Sequence, residues 1–152
     1  MATEDQTTGG SSQDSPLSGF PLRSYDKLRY ADTDRQGHVN NAVFSTFFET
    51  GRVELIHQLR QVAADSARDF VIAKITIEYL AELLWPGDVE VGSRVIRVGT
   101  SSIVVEQVLV CEDIVHARAE SVMVLTDTTT RRSTPLDDLS RSTLETLRGA
   151  TA

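Results

Sequence analysis

The sequence predicts an α+β fold, an antiparallel five-stranded sheet with one long helix covering a face, in the order β-α-β-β-β-β. Two observations carry this reading. An apolar stripe at helical spacing runs from Phe44 to Leu59. Four β-branched, partly alternating runs follow it, separated by short turns. Consecutive strands on short turns pair antiparallel, and a single long helix buries its stripe against one sheet face.

Each element has its own justification. Tyr25–Tyr30 alternates weakly and reads as a first strand. From Asn41 the period changes: Phe44, Phe47, Phe48, Gly51, Leu55 and Leu59 lie on one face of a helix of about five turns that ends near Arg60. Gly51 sits inside that stripe, where a glycine costs about 1 kcal/mol against alanine. Close approach of the helix to another element is the expected reason to keep it. Phe70–Leu80, Val89–Val98, Ile103–Val110 and Ile114–Leu125 read as strands. Trp85–Asp88, Gly99–Ser102 and Glu112-Asp113 read as the turns between them. Leu136, Leu139, Leu144 and Leu147 fall near one helical face, so a short C-terminal helix is expected within 135–147.

The domain reading divides the chain into a disordered N-terminal tail over 1–22, one folded domain over 23–140, and a tail or helix end over 141–152. The first stretch is Thr, Ser, Gly, Gln and Asp with few large apolar residues, so it cannot offset its own ordering entropy. At 152 residues and 40% apolar content, the chain has enough material for a single core. The net charge of −7 argues against nucleic acid, whose phosphates need clustered Lys and Arg. The single cysteine, Cys111, excludes an intrachain disulfide and reads as a small buried hydrophobe. No run of about 18 apolar residues is present, so no membrane span is expected. The N-terminus lacks a basic start and an apolar signal core, so the expected location is cytoplasmic.

The chemistry concentrates in Asp32-Thr-Asp34-Arg-Gln36-Gly37-His38-Val-Asn40-Asn41. The run joins a strand to a helix start, where backbone N–H groups lack intrahelical partners and carry partial positive charge. A carboxylate facing such an oxyanion site can attack a polarised carbonyl. Asn40 reads as the helix N-cap. Gly37 permits a backbone shape or a close approach that a Cβ would block. Asp32 reads as a turn residue bonded to nearby backbone. The acids and His38 lie on one short loop with no second His or Cys group near in sequence, so neither a metal nor another cofactor is expected.

This run, with Phe47-Phe48-Glu49 and Arg52 on the helix, resembles the hotdog-fold acyl-CoA thioesterases of the 4-hydroxybenzoyl-CoA thioesterase type. Ile77-Glu-Tyr-Leu80, Pro86-Gly-Asp88 and Val124-Leu-Thr-Asp127 resemble the same family, so the likeness spans about Tyr25 to Leu139. The resemblance implies a hotdog sheet wrapped around the central helix. It also implies hydrolysis of an acyl-CoA to free acid and CoA, in a homodimer or homotetramer. Asp34 matches the family's catalytic carboxylate, as nucleophile or general base. Asn41 matches the position whose backbone N–H holds the thioester carbonyl. Gln36, Gly37, His38 and Asn40 complete the active-site loop.

Plant-type acyl-carrier-protein thioesterases show a similar run with Asn where Gln36 stands. His38 is therefore read as structural or substrate-lining rather than as an acid/base group. In another hotdog branch the catalytic carboxylate lies on the helix, which makes Glu49 a backup candidate. Its plainer reading is a surface ion pair with Arg52 at i, i+3. The competing functions are an acyl-carrier-protein thioesterase and an acyl-binding hotdog protein without turnover.

Overall fold

The computed structural model describes residues 15–63 and 65–149. Its elements are β1 (Leu22–Lys27), a single 3-10 turn (Tyr30–Asp32), α1 (Asn41–Val62), β2 (Arg68–Tyr79), β3 (Asp88–Val98), β4 (Ser102–Cys111), β5 (Ile114–Asp127) and α2 (Asp138–Thr146). The sheet order is β1-β3-β4-β5-β2, with every neighbouring pair antiparallel. The expected β-α-β-β-β-β order with a short C-terminal helix is the one observed.

The predicted stripe is the buried face of α1: Phe44, Phe47, Phe48, Gly51, Leu55 and Leu59 all lie inward. The first half packs with Leu28, Leu83, Val89, Val91 and Leu109. The second half packs with Val95, Ile103, Val105, Met123 and Leu125, and with Leu136, Leu144 and Leu147 from the α2 region. Full burial of a side chain such as Phe48 or Leu55 contributes about 1.5–3 kcal/mol. Between the two halves, Gly51 rests on a polar floor. A Cβ there would lie 2.6 Å from Gln107 Nε2 and 2.8 Å from Ser93 Oγ, which supplies the close approach that the glycine implied. Glu112 and Asp113, at φ 49° and 60°, make the tight link between β4 and β5. Two successive positive φ values match the right-handed strand twist of a two-residue hairpin.

Two expectations need correction. The first strand lies at Leu22–Lys27, not Tyr25–Tyr30. The chain leaves the sheet early because buried Asp32 pulls it into a turn, accepting the Arg29 N–H at 2.9 Å and the Arg29 guanidinium at 2.7 Å. The tail drawn to residue 22 ends earlier. Residues 1–14 lie outside the described residues, but Leu17 and Phe20 are buried on the outer sheet face against Val108 and Val110. Two large apolar side chains gave that segment something to bury. At the other end α2 runs to Thr146 and buries Leu144, a short C-terminal helix as expected.

Candidate active site

The motif folds as a small hairpin set against the N-terminus of α1. Thr33 bridges Val39. Asp34 N–H donates to His38 O at 2.7 Å and Gly37 N–H to Asp34 O at 3.1 Å. Gly37 has φ +83°, and a Cβ there would meet nothing within 4 Å. Of the two reasons to place a glycine there, backbone shape is therefore the operative one. The hairpin is anchored on both sides: Asn40 N–H donates to Asp32 O at 2.9 Å and Val39 N–H to Leu83 O at 2.8 Å. Asp32 serves as the internal brace, and the Arg29 guanidinium holds its carboxyl below the usual carboxylate range.

Asn40 caps α1, its side-chain oxygen accepting the N–H of Ala42 at 3.0 Å. The cap satisfies Ala42 and leaves the amide of Asn41, the first helical residue. The first turn of α1 contains no acidic side chain, so nothing within the helix offsets its positive end. Asp34 is exposed. Its Oδ1 accepts the N–H of Gln36 at 2.8 Å and of His38 at 3.2 Å, which orients the carboxylate within the loop. His38 is half-buried, with Nε2 3.4 Å from Glu82 Oε2.

Asp34, Gln36, His38 and Asn41 line one open cleft of about 380 Å³, together with Phe44, Tyr79, Glu82 and Leu83. Gly37 and Asn40 shape the loop and the helix start without lining the cleft. Glu82 and Tyr79 were not singled out from sequence. Tyr79 Oη donates to Asn41 O at 3.2 Å and its ring meets Phe44 edge-on at 5.3 Å. Its place in the Ile-Glu-Tyr-Leu run was the available signal. Glu82 lies in a strand-to-turn segment without pattern, and the bridge between His38 and Leu84, with the bond from Val39 N–H to Leu83 O, brings it to the imidazole.

Glu49 lies outside this cleft, exposed on α1. The expected surface pair with Arg52 is corrected. Arg52 turns inward, is 8% exposed, and donates to Gln107 Oε1 at 3.4 Å. Leaving water lowers the guanidinium's pKa, partly opposed by the field of Glu49. The inward turn follows from the polar floor under Gly51, which offers Arg52 a buried acceptor. Cys111 is buried and free, and burial raises its thiol pKa. Among the described residues, no group of three or more His, Cys, Asp or Glu is arranged to hold a metal ion. None of their helices is long and apolar enough to cross a membrane.

The architecture and the cleft define a class: an α+β hotdog domain with a carboxylate loop at the start of its central helix. The chain belongs to the thioesterase-like superfamily, which it matches over residues 28–144. Acyl-CoA thioester hydrolase YbgC of Escherichia coli is 30% identical over 112 residues, 71% of this chain and 81% of that protein. Among solved structures, a thioesterase from Thermus thermophilus in complex with coenzyme A and zinc is 31% identical. It aligns at a TM-score of 0.72, covering 83% of this chain and 98% of that one. A predicted thioesterase from Bacillus stearothermophilus is 27% identical with a TM-score of 0.76, covering 83% and 95%.

Proposed function

We propose that the chain hydrolyses acyl-CoA thioesters, with Asp34 as the reacting carboxylate and the amide of Asn41 polarising the carbonyl. The observation that carries this reading is the shared cleft. It is lined by an oriented, exposed carboxylate and by Asn41, the first residue of α1, whose N–H the cap does not engage. The likeness to a named acyl-CoA hydrolase and to a coenzyme A complex supports the substrate class.

Two routes fit the geometry. In the first, Asp34 attacks the thioester carbon, forming a mixed anhydride and expelling the CoA thiolate, and water then cleaves the anhydride. In the second, Asp34 takes a proton from water as that water attacks. In both, negative charge develops on the carbonyl oxygen beside the helix N-terminus, where fixed dipoles stabilise it. His38, held near Glu82, lines the cleft and positions substrate. A working unit of two copies, joined along the free edge of β2, suits a strand that exposes Ile72 and Ile75. One buried free thiol suits a reducing, cytoplasmic setting.

The test is thiol release from short, long-chain and aromatic acyl-CoAs. Asp34→Asn should lower turnover at least about 100-fold while the fold and acyl-CoA binding persist, since an amide is neither nucleophile nor base. His38→Ala should cost less. Equal rates in wild type and Asp34→Asn refute the assignment. Absence of release from every CoA ester moves the reading to carrier-protein esters or to binding without turnover.

A further inference from the structure

One wall of the cleft runs out onto aromatic rings that the chain leaves uncovered. Leu80 to Leu83 line the cleft, and Leu84 bridges His38. Trp85 follows directly, and its ring meets that of Tyr30 edge-on, with centroids 5.4 Å apart. Tyr30 opens the turn whose last residue, Asp32, braces the carboxylate loop. The pair therefore joins the two chain segments that flank the cleft. Trp85 is 45% exposed, Tyr30 74% and Leu84 55%. Large apolar side chains grouped on a surface mark a binding site. In an edge-on pair, the ring that offers its edge keeps both faces open for stacking.

Cations stand at the same end of the molecule. In a chain of net charge −7, Lys27 and Arg35 are exposed and make no ion pair among the described residues. Lys27 ends β1, and the N–H of the next residue, Leu28, donates to Gly87 O at 2.9 Å, two residues from Trp85. Arg35 sits on the turn of the hairpin beside Asp34. Open aromatic rings with nearby cations suit one ligand chemistry, a planar heteroaromatic base that carries phosphates. Bases stack on aromatic rings, and Lys and Arg receive phosphate. CoA ends in such a group. Its pantetheine arm has the backbone length of about four residues, roughly 14 Å when extended. Trp85 is two residues past the cleft-lining Leu83, at most about 7 Å of chain. A thioester held in the cleft leaves the adenine nucleotide within reach of the aromatic pair.

We propose that Tyr30 and Trp85 seat the adenine ring of the substrate's CoA, with Lys27 and Arg35 receiving its phosphates. The inference rests on the acyl-CoA reading above and adds the residues that recognise the carrier. An acyl-carrier protein presents the same pantetheine arm without an adenine. The aromatic pair therefore favours CoA esters over carrier-protein esters, by contacts far from the bond that breaks. Binding energy made equally in the ground state and the transition state lowers KM and leaves kcat alone.

Trp85 is the only tryptophan of the chain, so its fluorescence reports the site directly. The full chain is titrated with CoA, with adenosine 3′,5′-bisphosphate and with pantetheine. CoA and the bisphosphate should quench the emission, and pantetheine should not. Because this readout is binding, its failure is separate from failure of the thioesterase reading, which thiol release measures. Tyr30→Leu keeps the reporter and should weaken CoA binding at least about fivefold. Arg35→Gln should weaken the bisphosphate and reduce the salt dependence of its binding. In turnover, the quantity read is kcat/KM for an acyl-CoA divided by kcat/KM for the same acyl group on N-acetylcysteamine, which lacks the nucleotide. Trp85→Ala should lower that ratio at least about fivefold through KM, and Trp85→Phe should restore most of it. A wild type whose emission ignores CoA overturns the proposal. So does an equal response to pantetheine, or a ratio that Trp85→Ala leaves as it was. Emission that shifts with protein concentration alone also overturns it and gives the pair to a contact between copies of the chain.

Discussion

Substituting Gly51 by alanine sets two physical terms against each other, and they predict opposite signs. Intrinsic helix propensity favours alanine by about 1 kcal/mol. The added methyl, however, enters a space already filled. It would stand 2.6 Å from Gln107 Nε2, 2.8 Å from Ser93 Oγ and 3.1 Å from Val91 Cγ1. Gln107 is fully buried and cannot yield freely, because its Nε2 donates to Phe48 O at 3.0 Å and to Ser93 Oγ at 2.9 Å. Overpacking of this kind costs about 1–3 kcal/mol. Displacing the amide from a buried bond costs a further ~1–3 kcal/mol. With the propensity gain subtracted, the variant should be less stable by about 3 kcal/mol. That corresponds to a midpoint roughly 10 °C lower for a domain of this size. Urea unfolding at neutral pH measures it, and Gln107→Ala in the same background should recover part of the loss by vacating the contact. A Gly51→Ala variant more stable than wild type by the propensity amount would refute the argument, since it would mean that α1 does not approach the sheet this closely.

Three further perturbations follow from the site. Gly37→Ala should destabilise by about 1–2 kcal/mol, because φ +83° is strained for a residue with a Cβ even in open space. It should also lower the thiol-release rate, because the turn it closes carries Asp34. Asp32→Asn tests the brace through pH. The folded-state pKa of Asp32 is depressed, so its stabilisation is present above the unfolded value of about 3.9 and disappears as pH falls through the folded value. The stability gap between wild type and variant should be flat from about pH 8 to 5 and close below about pH 4, and a gap that persists at low pH contradicts the assignment. Tyr79→Phe removes the bond to Asn41 O and keeps the ring against Phe44, so unfolding should change by no more than about 1.5 kcal/mol.

Local features of the chain were readable from residue order because local geometry repeats. The stripe from Phe44 to Leu59 has the period of a helix, and the same residues form the buried face of α1. Asn40 precedes that stripe and caps it through a bond spanning two residues. Turn chemistry placed the β4–β5 link at Glu112-Asp113. Gly51 required a close neighbour, an inference from the glycine's cost alone.

Which neighbour it was came only from folding. Gln107 lies beneath Gly51, 56 positions earlier in the chain, because β4 pairs in one register with β3 and β5 and α1 packs over that sheet. The same long-range placement sets Glu82 beside His38, brings Tyr79 to the start of α1 and turns Arg52 away from Glu49. It also lays Leu17 and Phe20 over the outer face of the sheet, where composition had implied a tail. Period and capping act within a few residues, so the linear order of side chains specifies them. Contacts across the sheet depend on strand register and on which apolar surfaces meet, and these emerge when the whole core packs.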